Sequence, residues 1–237
     1  MLKMSADIFK AIAAERALEL VTPGMKLGLG TGSTAGKFVD LLGKKVQGGL
    51  DVLCVPTSED TRLLAERAGL KLTTLDEHLM LDLTVDGADE IDGTLRLIKG
   101  GGGALLREKI VAMASDAMVV IADHTKRVSV LGAFPLPVEI VRFGARATMK
   151  MIEEAACDTG CEGSIGLRRF KTGDLFVTDS GNYIVDCAFG EISEPESLSD
   201  VLEMIPGVVE HGLFIGIADH AIIAGPSGVQ VLDAPDL

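Results

Sequence analysis

The chain has 237 residues, enough for one or two domains with an ample core. Its hydrophobic content of 47% and charged content of 24% are those of an ordinary water-soluble fold, and no apolar run reaches membrane-spanning length. A formal net charge of −13 argues against nucleic acid or anionic lipid as a partner, and the N-terminus carries no secretory signal pattern.

In chain order, helical periodicity runs through Ala6–Leu20 and a buried strand is expected at Met25–Leu29. A helix at Thr34–Gln47, a strand at Asp51–Val55 and a helix at Ser58–Ala68 follow, with Ser58 as candidate cap. Strand-like runs at Leu70–Thr74, Leu81–Val85 and Leu95–Ile98 precede a helix at Ala104–Ala114 and a buried strand at Ala117–Ala122. Strands alternating with helices predict a Rossmann-like parallel sheet covered on both faces. Ligands bind such sheets beyond the carboxyl ends of the strands. Thr31–Thr34, Asp86–Asp89, Lys99–Gly103 and Asp123 all follow predicted strand ends, so they are expected to share one edge.

After Pro135 and Pro137 the rhythm changes. Strands are expected at Val138–Val141, Ser164–Arg169, Leu175–Val177, Asn182–Asp186 and Val208–Phe214, with helices at Arg146–Ala156 and Ser199–Ile205. Leu175–Val177 should pair with Asn182–Asp186 across the Asp179–Asn182 turn. The order β-α-β-β-α-β is that of the ferredoxin-like split unit. Ile215–Leu232 reads as a hairpin around Gly225–Gly228 that rejoins the first sheet. The expected division is a Rossmann-like α/β domain at 1–131 and 212–237, with a smaller α+β domain inserted at 132–211.

Chemistry concentrates between Asp86 and Glu108. Asp86, Asp89, Glu90, Lys99 and Glu108 fall within 23 positions, interrupted by four consecutive glycines, Gly100–Gly103. Such a run is costly in entropy and packs nothing, so it suits bare backbone approaching a ligand. The turn Thr31–Thr34 after the first strand combines a helix start with hydroxyl donors, an arrangement that can cradle an anion. A tight turn with an ordinary Ser or Thr cap fits that segment as well. The dinucleotide fingerprint fails because Ser33 stands at its third glycine. The nucleotide P-loop fails because Phe38 follows Lys37. A phosphate on a small molecule therefore fits better than a nucleotide. Carboxylates, a lysine and backbone N–H groups around such a cradle suit proton transfer beside a carbonyl, with no metal or redox cofactor required. The alternative for each charge is a surface residue or a local ion pair, a reading that fits Asp92, Arg107 and Lys109 best.

Cys54, Cys157, Cys161 and Cys187 read as buried free thiols of a reducing cytosol. His78, His124, His211 and His220 show no ligand spacing.

Six segments carry a resemblance. They are G-L-G-T-G-S-T-A at 28–35, L-T-V-D-G-A-D-E-I-D at 83–92, L-I-K-G-G-G-G-A-L-L-R-E-K-I at 97–110, F-P-L-P-V-E at 134–139, I-P-G-V-V-E-H-G-L-F at 205–214 and A-G-P-S-G-V at 224–229. In this order they resemble the type A ribose-5-phosphate isomerases. The one departure is Asp179-Ser180-Gly181-Asn182, where the family more often has Asn before the glycine. The resemblance implies interconversion of ribose 5-phosphate and ribulose 5-phosphate in the pentose phosphate pathway, without a cofactor. It implies Glu108 as the base working through an enediolate, Asp86 assisting ring opening, and Asp89 and Lys99 positioning the sugar oxygens. Thr31, Gly32, Ser33, Thr34, Gly87, Ala88 and the backbone of Gly100, Gly101 and Gly102 would contact substrate, with Lys126 and Lys10 assisting. It further implies a cytoplasmic homodimer or homotetramer. A related aminosugar isomerase or lactonase, and a non-catalytic sugar-phosphate sensor, are the competing readings. A sensor of this kind normally carries a basic DNA-binding module, which the chain lacks.

Overall fold

The structure is a computed structural model that describes residues 6–235. The first half contains α1 (Ala6–Leu18), β1 (Lys26–Leu29), α2 (Ser33–Gln47), β2 (Leu53–Pro56), α3 (Glu59–Arg67), β3 (Lys71–Leu72), β4 (Leu83–Asp86), β5 (Glu90–Ile91), β6 (Leu97–Ile98), α4 (Leu105–Met113) and β7 (Met118–Asp123). A 3-10 turn at His124–Lys126 leads to β8 (Leu136–Ile140), α5 (Ala145–Asp158), β9 (Ser164–Leu167), β10 (Tyr183–Ala188), α6 (Pro195–Glu203), β11 (Val208–His211), β12 (Leu213–Phe214), β13 (His220–Gly225) and β14 (Gly228–Asp233). No helix of the described residues is long and apolar enough to cross a membrane.

The chain divides into two compact units. The described residues through Ala88, Arg107–Arg127 and those from Gly216 onward form one; Asp89–Leu106 and Val128–Ile215 form the other.

The first unit is built on a seven-stranded sheet in the order β14-β13-β7-β4-β1-β2-β3. All neighbours are parallel except the edge pair β13–β14. The apolar runs explain this. Every residue of β7 is buried, as expected for a strand covered on both faces. In α2 the buried side chains Ala35, Phe38, Val39 and Leu42 recur at i, i+3, i+4 and i+7, so one stripe of the helix packs into the core with Leu27, Leu29 and Val85. Burial of Phe38 alone contributes about 1.5–3 kcal/mol. Strand order reverses direction at β1, which lies between β2 and β4. In a doubly wound sheet the crevice at that reversal is where ligands bind. Thr31–Thr34 follow β1, and Asp86 ends β4.

The second unit holds two antiparallel sheets, one ordered β11-β8-β10-β9 and one ordered β12-β6-β5. The chain order of the larger one is β8-α5-β9-β10-α6-β11, with Leu136, Val138, Val185, Ile152 and Leu198 in its core.

Several expectations are corrected. β6 does not join the parallel sheet; it pairs antiparallel with β5 and β12. A tight connection forces this, since adjacent parallel strands need a long crossover. Asp92 builds that connection: its carboxylate accepts from the N–H groups of Thr94 and Arg96 and from the Arg96 side chain. Asp92 is therefore buried rather than on the surface, and the local ion pair expected as its alternative is formed with Arg96 at 2.6 Å. Asp89–Leu106 consequently falls in the second unit, whereas the sequence grouped it with the first domain. Glu90 fixes it there, its carboxylate accepting from the N–H groups of Gly132 and Phe134 at 2.7 and 2.6 Å. Leu175–Val177 forms no ladder with β10; its place is taken by β9, and Leu175 makes only an isolated bridge to Arg169. The expected strand Val208–Phe214 breaks at Gly212 into β11 and β12. Cys157 is exposed, unlike Cys54, Cys161 and Cys187. Burial pushes the Cys54 thiol up to about 12.

Candidate active site

In the first unit, the turn after β1 enters α2 through Gly32, whose φ of 105° suits glycine. No side chain caps α2. By contrast, Ser58 caps α3 by accepting from the Thr61 N–H at 3.1 Å. Ser33 is thus not a cap but the first helical residue, and it accepts a hydrogen bond from Lys10 Nζ at 2.9 Å. A helix start without a side-chain acceptor, with a lysine and a hydroxyl at its mouth, is built to receive an anion. The ordinary side-chain cap that the sequence also allowed is not formed.

Thr31 turns its side chain inward. Its hydroxyl lies 2.8 Å from both Thr57 Oγ1 and Ser58 Oγ, inside an internal hydroxyl cluster. Its N–H donates to Asp86 Oδ1 at 3.1 Å, and the Gly87 N–H donates to the same oxygen at 2.7 Å. Thr31 therefore serves Asp86 and the turn through its backbone. A Cβ at Gly30 would lie 2.0 Å from Asp86 Oδ1, so only glycine lets the buried carboxylate sit against the end of β1.

Glu108 lies in the first turn of α4 and is only 3% exposed. With Leu105, Val111 and Ala112 it occupies the buried stripe of the helix, where the pattern calls for an apolar side chain. Arg107, one residue earlier, turns outward to Glu59 at 3.1 Å. Lys126 ends the 3-10 turn after β7 and is half-buried. Asp123 caps that turn, accepting from the Thr125 N–H and hydroxyl at 3.0 and 2.5 Å. Its role is local structure.

In the second unit, Asp89 is tied to the glycine run: its Oδ2 accepts from the Gly101 N–H at 2.8 Å. A Cβ at Gly101 would lie 2.6 Å from Asp89 Oδ1. Lys99 is 2% exposed, its N–H donates to the Gly212 carbonyl at 2.9 Å, and its Nζ stands 5.4 Å from the centroid of the Phe214 ring. The aromatic face stabilises the cation without neutralising it. Gly102 is exposed beside Gly101. Sequence reasoning missed Arg168, whose Nη1 donates to the carbonyls of Gly100 and Gly101 at 2.8 and 3.1 Å. The adjacent Arg169 makes the pair ambiguous from sequence; only the strand phase of β9 decides which arginine faces the turn.

An open groove of about 750 Å³ in the first unit, lined by Arg62, Glu66, Thr73, Glu77, Arg107 and Ile110 among others, contains none of the expected site residues. Its arginines are engaged by Glu59 and Glu66, so it offers little to a phosphate.

A mostly parallel α/β sheet with an uncapped helix start at its reversal point defines an α/β protein of the class that binds ligands at that edge of the sheet. The chain belongs to the ribose 5-phosphate isomerase A (phosphoriboisomerase A) family, which it matches over residues 53–228. It is 60% identical over 232 residues to the ribose-5-phosphate isomerase A of Rhodopseudomonas palustris strain BisB18, covering 98% of this chain and all of that protein. It is 58% identical over 231 residues to the enzyme of the same name from Parvibaculum lavamentivorans, again covering 98% of this chain and all of that one. Among solved structures, the ribose 5-phosphate isomerase from Plasmodium falciparum superposes with a TM-score of 0.91 at 39% identity, covering 96% of this chain and 98% of that one. A D-ribose-5-phosphate isomerase in complex with phospho-erythronic acid superposes with a TM-score of 0.89 at 38% identity, covering 97% of this chain and all of that one.

Proposed function

We propose that this protein interconverts D-ribose 5-phosphate and D-ribulose 5-phosphate through an enediolate, as an aldose–ketose isomerase of the non-oxidative pentose phosphate pathway. The observation that carries the reading is the burial of Asp86, Lys99 and Glu108 on a chain of this family. Ionisable groups are rarely buried unless they are paired or hydrogen-bonded, and the family assigns proton-transfer chemistry to buried groups of these types.

In this reading Glu108 takes the C2 proton of the open-chain aldose. The electron pair moves toward the C1 carbonyl, the O2 hydroxyl proton passes to O1, and Glu108 returns its proton to C1, which leaves the carbonyl at C2 of the ketose. Lys99 and the backbone N–H groups of Gly100 and Gly102 stabilise the developing oxyanion, while Asp89, which takes the Gly101 N–H, orders that turn. Asp86 handles the hydroxyl proton during ring opening, with Gly87 and Ala88 beside it. The turn Thr31–Thr34 receives the phosphate, assisted by Lys10 and Lys126; Gly32, Ser33 and Thr34 offer N–H groups, Ser33 and Thr34 also hydroxyls, and Thr31, whose N–H goes to Asp86, holds the turn. The ligand named in the complex of the related isomerase, a phosphorylated sugar acid, is consistent with a site for a phosphorylated open chain.

The reading extends to the whole molecule. The β8–β11 unit has the chain order of a ferredoxin-like insertion, and its sheet order fits that description. We place the enzyme in the cytoplasm as a homodimer or homotetramer. The test is an isomerase assay of purified protein with ribose 5-phosphate against hexose phosphates, with and without exhaustive chelation. Turnover of ribose 5-phosphate that survives the chelator is expected. Preference for a hexose phosphate, or loss of activity restored by a divalent metal, contradicts the reading.

A further inference from the structure

We infer that Arg168, held by Asp186, is a positioning residue that sets the direction of the backbone N–H groups in the glycine turn. The inference rests on the isomerase reading above, in which that turn faces the developing oxyanion.

Four consecutive glycines have more conformational freedom than any other run of four residues. Something must select one arrangement if their N–H groups are to act as fixed donors. The guanidinium of Arg168 does so from one side: Nη1 donates to the carbonyl of Gly100 at 2.8 Å and to that of Gly101 at 3.1 Å. In a trans peptide the N–H points opposite to the carbonyl of the same unit. Holding the Gly100 carbonyl therefore aims the Gly101 N–H away from Arg168, where it meets Asp89 Oδ2 at 2.8 Å. Holding the Gly101 carbonyl aims the Gly102 N–H away from Arg168 in the same manner.

The arginine is itself fixed. Its Nε and Nη2 donate to the two carboxylate oxygens of Asp186 at 2.9 and 2.5 Å, a bidentate geometry that sets the guanidinium plane. Phe176 closes the other side, with its ring centroid 5.8 Å from Arg168 Cζ and its N–H donating to the Arg168 carbonyl at 2.9 Å. The same ring packs on Gly103, where a Cβ would lie 2.4 Å from its Cζ. Segment 168–176 thus lines the glycine turn and grips it at three of its four residues. A lysine could not reproduce this, because it lacks a fork that engages a carboxylate and two carbonyls at once.

The experiment compares wild type, Arg168→Ala, Arg168→Lys, Asp186→Asn and the exposed control Arg169→Ala. Steady-state kinetics with ribose 5-phosphate and thermal melting are measured for each. Wild-type protein without isomerase activity overturns the functional reading, independently of the pair. With active wild type, Arg168→Ala is expected to lower kcat on the order of 10²-fold with KM changed only a few-fold. Guanidinium ion at a non-denaturing concentration should restore part of that rate. Arg168→Lys should remain impaired, and Arg169→Ala should match wild type. A folded Arg168→Ala protein with near-normal kcat, or a loss carried by KM alone, overturns the inference. If Arg168→Ala does not fold, Asp186→Asn decides: lowered kcat with retained KM supports the inference, and wild-type kcat refutes it.

Discussion

Glu108 stands where α4 would otherwise carry an apolar side chain, and Lys99 is buried against an aromatic ring. Burying either charge is costly unless it is paired or hydrogen-bonded. Lys99→Ala is expected to weaken binding of a phosphorylated sugar acid and to lower turnover, because a charge aimed at a developing oxyanion counts most in the transition state. Loss of ground-state affinity with turnover intact would make Lys99 a sugar anchor instead. At the other turn, Ser33→Ala combined with Thr34→Ala should weaken ribose 5-phosphate binding markedly and barely affect unphosphorylated ribose. Calorimetry with the two ligands measures this, and equal losses would place the phosphate elsewhere. Residue types and spacing made Asp86, Asp89, Lys99 and Glu108 legible in the sequence. The direction of a side chain was not, which is why the inward-turned hydroxyl of Thr31 and the role of Arg168 went unnoticed.

Elements deliver these residues. β1 and β4 end side by side in the parallel sheet, and Gly30 at the end of one leaves room for Asp86 at the end of the other. Gly30→Ala should therefore cost about 1–3 kcal/mol in urea denaturation, as overpacking does. It should also reduce turnover by displacing Asp86. A variant with wild-type stability and activity would show that the carboxylate tolerates a different seat. Apolar runs and helical stripes gave most elements to within a few residues. The failures have a common cause. β5 and β6 are two residues each, too short for periodicity to register, and their hairpin depends on Asp92 binding backbone N–H groups that no pattern specifies. Leu175–Val177 has strand-like composition, but the tertiary competitor β9 takes its place beside β10.

The whole molecule carries a net charge of −13, so no broad positive field draws in a phosphorylated sugar. In the proposed reading, capture falls to local donors: the uncapped start of α2, the Lys10–Ser33 pair and Lys126. The alternation of strands and helices made the larger unit readable from sequence, whereas the grouping of Asp89–Leu106 with the second unit depends on long-range contacts of Glu90. The central claim is that Glu108 moves the proton, and its most direct test is the turnover and substrate affinity of Glu108→Gln. Turnover should fall by about 10²–10⁴-fold, the usual contribution of a general base, with ribose 5-phosphate still bound within a few-fold of wild type. A correctly folded Glu108→Gln protein that isomerises ribose 5-phosphate at a near-normal rate would contradict the claim and move the base to Asp86.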